Sequence, residues 1–123
     1  MSVATEFLAS AIKRFKEYKS LGEKTFAQLN DEHFLQQPNG ASNSIAIIIQ
    51  HMHGNMLSRW TNFLTEDGEK TWRQREAEFE VHSKSKEQVL QLWEEGWKVF
   101  FEAVEPLNED DLNNLLQHAI KST

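Results

Sequence analysis

The sequence predicts an all-α protein: a helical bundle of three long helices and a short C-terminal one. Three observations carry this. Four segments place apolar residues at three- and four-residue steps, the period of a helix face. No stretch alternates apolar and polar residues at the two-residue period of a strand. Strong breakers separate the segments, at Pro38-Asn39-Gly40, Asp67-Gly68 and Pro106. The 123 residues are the size of one domain, so a single domain over 1–123 is expected.

The first helix is expected over about 2–29. Leu8, Ile12, Phe15, Phe26 and Leu29 form its stripe, with Phe7, Ala11, Tyr18 and Leu21 beside them. Lys13, Arg14, Lys16 and Lys19 read as the solvated face. Asn30-Asp31 ends this helix and starts a short turn through Gln37. The second helix is expected over 43–64, behind capping residue types at Ser42 to Ser44. Ile45, Ile48, Ile49, Met52, Met56, Trp60 and Phe63 share one face. Residues 66–83 show no clean period and carry six acids against three bases. Trp72 and Phe79 lie in this stretch. It reads as a long ordered loop, because aromatic side chains need burial.

The third helix is expected over 86–104. Ser85 with Gln88 forms a capping-box pattern. Val89, Leu92, Trp93, Gly96, Val99, Phe100 and Ala103 make its stripe, and Leu90, Trp97, Phe101 and Val104 widen it. A helix so broadly apolar is central or faces a partner. After Pro106, Asn108 caps a last short helix over 109–120 with Leu112, Leu115, Leu116 and Ile120.

Composition narrows function. The formal net charge of -6 argues against a dedicated nucleic-acid binder, which must neutralise phosphates with Lys and Arg. The longest apolar run, Ile45 to Ile49, is far short of the roughly twenty residues that span a bilayer. No membrane partner is expected. Cysteine is absent, which removes disulfides, thiolate nucleophiles and Cys-ligated zinc. The N-terminal MSVATEFLASAIKRFKEYK has no signal-peptide pattern, and with no disulfides to form, the cytoplasm is the default location.

Five histidines are the candidates for chemistry: His33, His51, His53, His82 and His118. No two have the three- or four-residue spacing that puts two ligands on one helix face. His51 and His53 point about 200° apart. His51 lies on a polar strip with Asn55, Arg59 and Asn62. The commoner role of a lone helix histidine is a surface or hydrogen-bonded one. Glu76, Glu78 and Glu80 alternate in the loop without marking an acid–base pair. Glu109, Asp110 and Asp111 suit the positive end of the last helix. There is no glycine-rich phosphate loop and no Ser-centred nucleophile motif.

The run NSIAIIIQHMHGNMLSRWTNFLTEDGEKTWRQREAEF, Asn43 to Phe79, resembles the DinB-like (YfiT-like) helical-bundle superfamily, and within it a branch of small bacterial proteins of unknown function. FKEYKSLGEKTFAQLNDEHFLQQPN and LQLWEEGWKVFFEAVEPLNEDDL are similar to the same branch. The strings H-x-x-G-N-x-x-S-R-W and DGEK-x-W-R-x-R carry the resemblance. It implies a four-helix bundle with an open divalent-metal pocket built from three histidines, and chemistry of the thiol-dependent transferase type. His51 matches the second-helix ligand. Asn55 and Arg59 are then pocket candidates. The family's H-x-x-x-H pair on the last long helix has no counterpart, and His118 matches neither position. The expectation is a bundle that lacks the last long helix, with zinc or nickel as the implied metal but none held tightly by a single chain. Such a bundle exposes an apolar stripe, so a homodimer is expected. Two further readings stand beside a metal-dependent enzyme acting on an unidentified small molecule. One is a non-catalytic interaction module, the other a truncated product.

Overall fold

The computed structural model describes the backbone of residues 2–122 and the side chains of residues 2–117. His118 and Ile120, singled out above, lie outside the described side chains. The described chain is all-helical. In order come α1 (Val3–Phe26), α2 (Asp31–Leu35), α3 (Ile45–Trp60), a 3-10 turn (Ala77–Phe79), α4 (Lys86–Val104) and α5 (Glu109–Ser122). No described helix is long and apolar enough to cross a membrane.

Each helix starts where a side chain can take up a free backbone N–H. Ser2 accepts from Thr5 N, Ser44 from Ile47 N and Ser85 from Gln88 N. Asn108 and Asp111 cap reciprocally. The box expected at Ser85 is only half formed, because Gln88 reaches past Ser85 to accept from Lys84 N at 2.6 Å. Asn30 and His33 form a full box that the sequence reading missed: His33 Nδ1 accepts from Asn30 N at 3.1 Å. That box turns 31–35 into α2 and stops α1 at Phe26, not Leu29.

The second long helix also ends early, at Trp60 and not Leu64. Thr61 swings to extended backbone, and Asn62 takes the left-handed conformation with φ 53°. Asparagine tolerates that region better than most residues. The Asn62 carbonyl then accepts from the N–H groups of both Thr65 and Glu66, closing a turn. Phe63 therefore leaves the helix face assigned to it.

The core is Phe34, Ala46, Ile49, Val89, Trp93, Trp97, Phe100 and Val104, so it lies mainly between α3 and α4. Ile48, expected on the core face, is half exposed. α1 buries none of its residues fully and rides on the aromatic row of α4. Phe15 packs on Phe100 and Phe26 on Trp93, with ring centroids 4.8 and 4.9 Å apart. Gly22 allows this approach, since a Cβ there would lie 2.9 Å from the Trp93 ring.

Lys19 is not on the solvated face. Its side chain is 21% exposed and its Nζ donates to Glu23 and, at 3.1 Å, to Glu94 of α4. Trp93 Nε1 also donates to Glu23, at 3.2 Å. Burial disfavours the charged form of Lys19, but the bonds and charges of Glu23 and Glu94 outweigh it and raise the pKa above its ordinary 10.5. Burial likewise pushes the Glu23 carboxyl up, and the hydrogen bonds from Lys19 and Trp93 more than reverse that, leaving it below 4.5.

Candidate functional site

The segment from Asn62 to Ser85 folds back over α3 and builds the most organised polar region of the molecule. Aromatic burial does not order it, contrary to expectation: Trp72 and Phe79 are each 50% exposed. Polar side chains of α3 hold it instead. Gln50, almost fully buried, donates to the carbonyls of Glu78 (3.1 Å) and Glu80 (2.6 Å). Its Oε1 accepts from the N–H groups of His82 (3.1 Å) and Ser83 (3.3 Å). One side chain thus satisfies four backbone groups of the loop. In the last turn of α3, buried Ser58 donates to the Gly68 carbonyl. Lys70 then donates to the carbonyls of Ser58 (2.9 Å) and Asp67.

Between these two brackets lies a three-residue relay. The side chains of Arg73 and Glu78 are 4% and 10% exposed. Arg73 donates through Nε to Glu78 Oε2 (3.1 Å) and through Nη2 to Glu78 Oε1 (3.2 Å). This fork fixes the carboxylate in one orientation. His51 Nδ1 lies 3.0 Å from Glu78 Oε1. An ionised carboxylate only accepts, so Nδ1 is the nitrogen that donates, and in the neutral imidazole the lone pair is on Nε2. The imidazole also packs on Phe79, with ring centroids 5.2 Å apart. Gly54 makes room for the relay, since a Cβ there would fall 1.8 Å from Glu78 Oε2.

His51, Asn55 and Arg59 stand at four-residue steps within the regular helix Ile45–Trp60, so they share a flank of α3. Asn62, assigned to the same strip, lies in the turn beyond the helix. His51 is 45% exposed and Asn55 half-buried, whereas Arg59 is exposed and lies against Gly68. The structure ties His51 to Glu78 and Arg73, and not to Asn55 or Arg59. The other described histidines have separate places. His33 caps α2. His82 Nε2 donates to the Ala77 carbonyl at 2.7 Å. His53 Nε2 is 3.3 Å from Glu95 Oε1 but off the direction of a hydrogen bond, so this buried nitrogen stays unsatisfied despite the short distance.

Among the described residues no group of three or more His, Asp or Glu is placed to hold a metal ion. Both Glu78 oxygens are already engaged. His51 therefore fits the role of one ligand, and the described side chains do not complete a site around it.

Sequence reasoning missed Gln50, Gly54, Ser58, Lys70, Arg73 and Glu78. A signal existed for most of them. Gly54 and Ser58 belong to the string H-x-x-G-N-x-x-S-R-W, and Gly68, Lys70 and Arg73 to DGEK-x-W-R-x-R. In three dimensions these two strings are the two halves of one docking contact. A family model described as "Protein of unknown function (DUF1572)" matches residues 2–121. No curated protein and no solved structure matches the chain significantly. A match over nearly the whole sequence places the chain in the DUF1572 family of proteins of unknown function.

Proposed function

We propose that the chain contributes His51 as one ligand of a DinB-like divalent-metal site, and that a second copy of the chain supplies what the described residues lack. The observation that supports this is the relay Arg73–Glu78–His51. A metal-binding imidazole commonly gives its other N–H to a carboxylate, which fixes the tautomer and raises the basicity of the ligating nitrogen. Here Nδ1 has that partner, and Nε2 is the nitrogen left for a ligand. A bound zinc or nickel would act as a Lewis acid toward a thiol or water. One histidine cannot hold such an ion tightly, so this chemistry would need the further ligands of the second copy.

The test is zinc and nickel binding by the purified protein, measured together with its mass in solution. Metal retained by dimers and not by monomers is the expected result, with loss in His51→Ala. Glu78→Gln should weaken binding by about 10- to 100-fold. One metal per monomer, unaffected by His51→Ala, would refute the reading.

A second reading, a non-catalytic dimeric interaction module, has its own support. Val3, Phe7, Tyr18 and Leu21 are all more than half exposed, and their spacing puts them along one flank of α1. They form two apolar pairs, Val3 with Phe7 and Tyr18 with Leu21, with exposed Arg14 between them on the same flank, and exposed large apolar side chains that share a flank suit a protein partner. Light scattering at micromolar concentration should show a dimer. Phe7→Glu with Leu21→Glu should give a monomer. If the parent chain is itself a stable monomer, this reading fails.

A further inference from the structure

The connection from Gln36 to Ser44, between α2 and α3, has no regular secondary structure. Asn39 and Gly40 stand in it, both exposed. Every other asparagine of the chain precedes a residue with a side chain. An asparagine amide is electrophilic at Cγ, and the nearest internal nucleophile is the backbone nitrogen of the next residue. A side chain on that residue crowds the approach, and glycine has none. A Cβ at Gly40 would meet no atom within 4 Å, so the fold does not crowd the approach either.

The groups around Asn39 are set for this attack. Asn39 Oδ1 accepts from the Ala41 N–H at 2.9 Å. That turn holds the side chain against its own following peptide. It also polarises the carbonyl, since a donor aimed at an oxygen that gains negative charge lowers the barrier to addition. Among the described residues neither the Gly40 N–H nor the Asn39 amide NH₂ group is engaged in a hydrogen bond, so nucleophile and leaving group are both free. Asp67-Gly68 supplies the contrast. Asp67 Oδ1 accepts from Glu69 N at 2.9 Å in the same kind of turn. There the fold clamps the segment: Lys70 donates to the Asp67 carbonyl, Ser58 donates to the Gly68 carbonyl, and Arg59 would lie 3.2 Å from a Cβ on Gly68.

We propose that Asn39 is a site of spontaneous deamidation and isomerisation, with the Gly40 nitrogen as nucleophile and water as co-reactant. Hydroxide removes the Gly40 N–H proton, and the nitrogen bonds to Asn39 Cγ. The Cγ–Nδ2 bond breaks, and the amide leaves as ammonia with a proton from water. Water then opens the cyclic succinimide at either carbonyl. Opening at Cγ gives aspartate, and opening at the Asn39 main-chain carbonyl gives isoaspartate. Either product adds a negative charge to the turn closed by Ser42 N–H and the Asn39 carbonyl, which leads into Ser44, the cap of α3. The proposal is independent of metal binding at His51.

The test is incubation of the full chain in mildly alkaline buffer, followed by peptide mapping with mass spectrometry that separates isoaspartate from aspartate. A free peptide of residues 36–44 is the reference for unassisted chemistry. Both products should appear at Asn39 ahead of change at Asp67 or any other asparagine, at least as fast as in the peptide, and faster as pH rises. Gly40→Ala should slow the reaction about tenfold, equivalent to about 1.4 kcal/mol on the barrier. A thermal melt verifies that this variant folds. Slower reaction in the folded chain than in the peptide, aspartate as the sole product, or an unchanged rate in folded Gly40→Ala would overturn the proposal.

Discussion

Replacing Gln50 by Met tests how the long loop is held. The side chain keeps its length and loses its amide. Four contacts go with it: to the carbonyls of Glu78 and Glu80, and from the N–H groups of His82 and Ser83. Each such bond contributes about 0.5–1.5 kcal/mol net, so the four together set a range of about 2–6 kcal/mol. Water lowers the cost where it can enter. Glu80 and His82 are exposed and can be resolvated, whereas Ser83 is 6% exposed and cannot. The expected loss is therefore about 2–3 kcal/mol, near the bottom of the range. Urea unfolding followed by far-UV circular dichroism measures the total. Hydrogen exchange locates it, because the His82 and Ser83 amides donate directly to the missing oxygen. Their protection should fall while that of the α4 core amides tracks only the global loss. A loss under about 0.5 kcal/mol with unchanged protection at both amides would refute this account of the loop.

Gly54→Ala should destabilise the protein although alanine is the better helix former by about 1 kcal/mol. The new Cβ would expel the Glu78 carboxylate and leave buried Arg73 unpaired, a cost of about 3–5 kcal/mol, so the net loss is about 2–4 kcal/mol. A melting temperature equal to or above that of the parent would contradict this. The Lys19–Glu23–Glu94 clasp makes stability depend on pH at both extremes. Glu23, with its folded pKa lowered, contributes above 4.5 and loses that contribution as pH falls through the folded value. Lys19, with its folded pKa raised, contributes below 10.5 and loses it as pH rises through its folded value. The clasp is complete between those limits. The effect is small, since Glu23 and Glu94 are more than a third exposed and screened by solvent. Urea unfolding at acid and neutral pH checks it: Glu23→Gln should flatten the acid limb, and an unaltered limb would exclude this residue as its source.

Much of the helical framework was legible because its causes are local. The 3.6-residue period and the caps at Ser44, Ser85 and Asn108 lie within a few residues of what they specify, and α4 runs over 86–104 as its pattern requires. The errors are also local in kind. At Asn30 and Asn62, short polar side chains and a left-handed backbone ended helices that hydrophobic periodicity alone would have continued. Lys19 was misassigned because its angular position on α1 is that of the core-facing stripe, and only the carboxylates of Glu23 and Glu94 make a lysine tolerable there.

The candidate site divides differently. His51 stood out in the sequence as the histidine of a polar strip, and its pairing did not, because Glu78 is 27 residues away. Gln50 looked like the polar end of an apolar run, yet it is buried by partners 28 to 33 residues further on. Sequence by itself determined the helices, the absence of cysteine chemistry and the acidic balance, all of which depend on residue type and near-neighbour spacing. Tertiary structure alone decided which polar residues are buried. A buried amide or ion pair is tolerable only when every partner arrives together, and those partners come from a loop with no periodic pattern of its own.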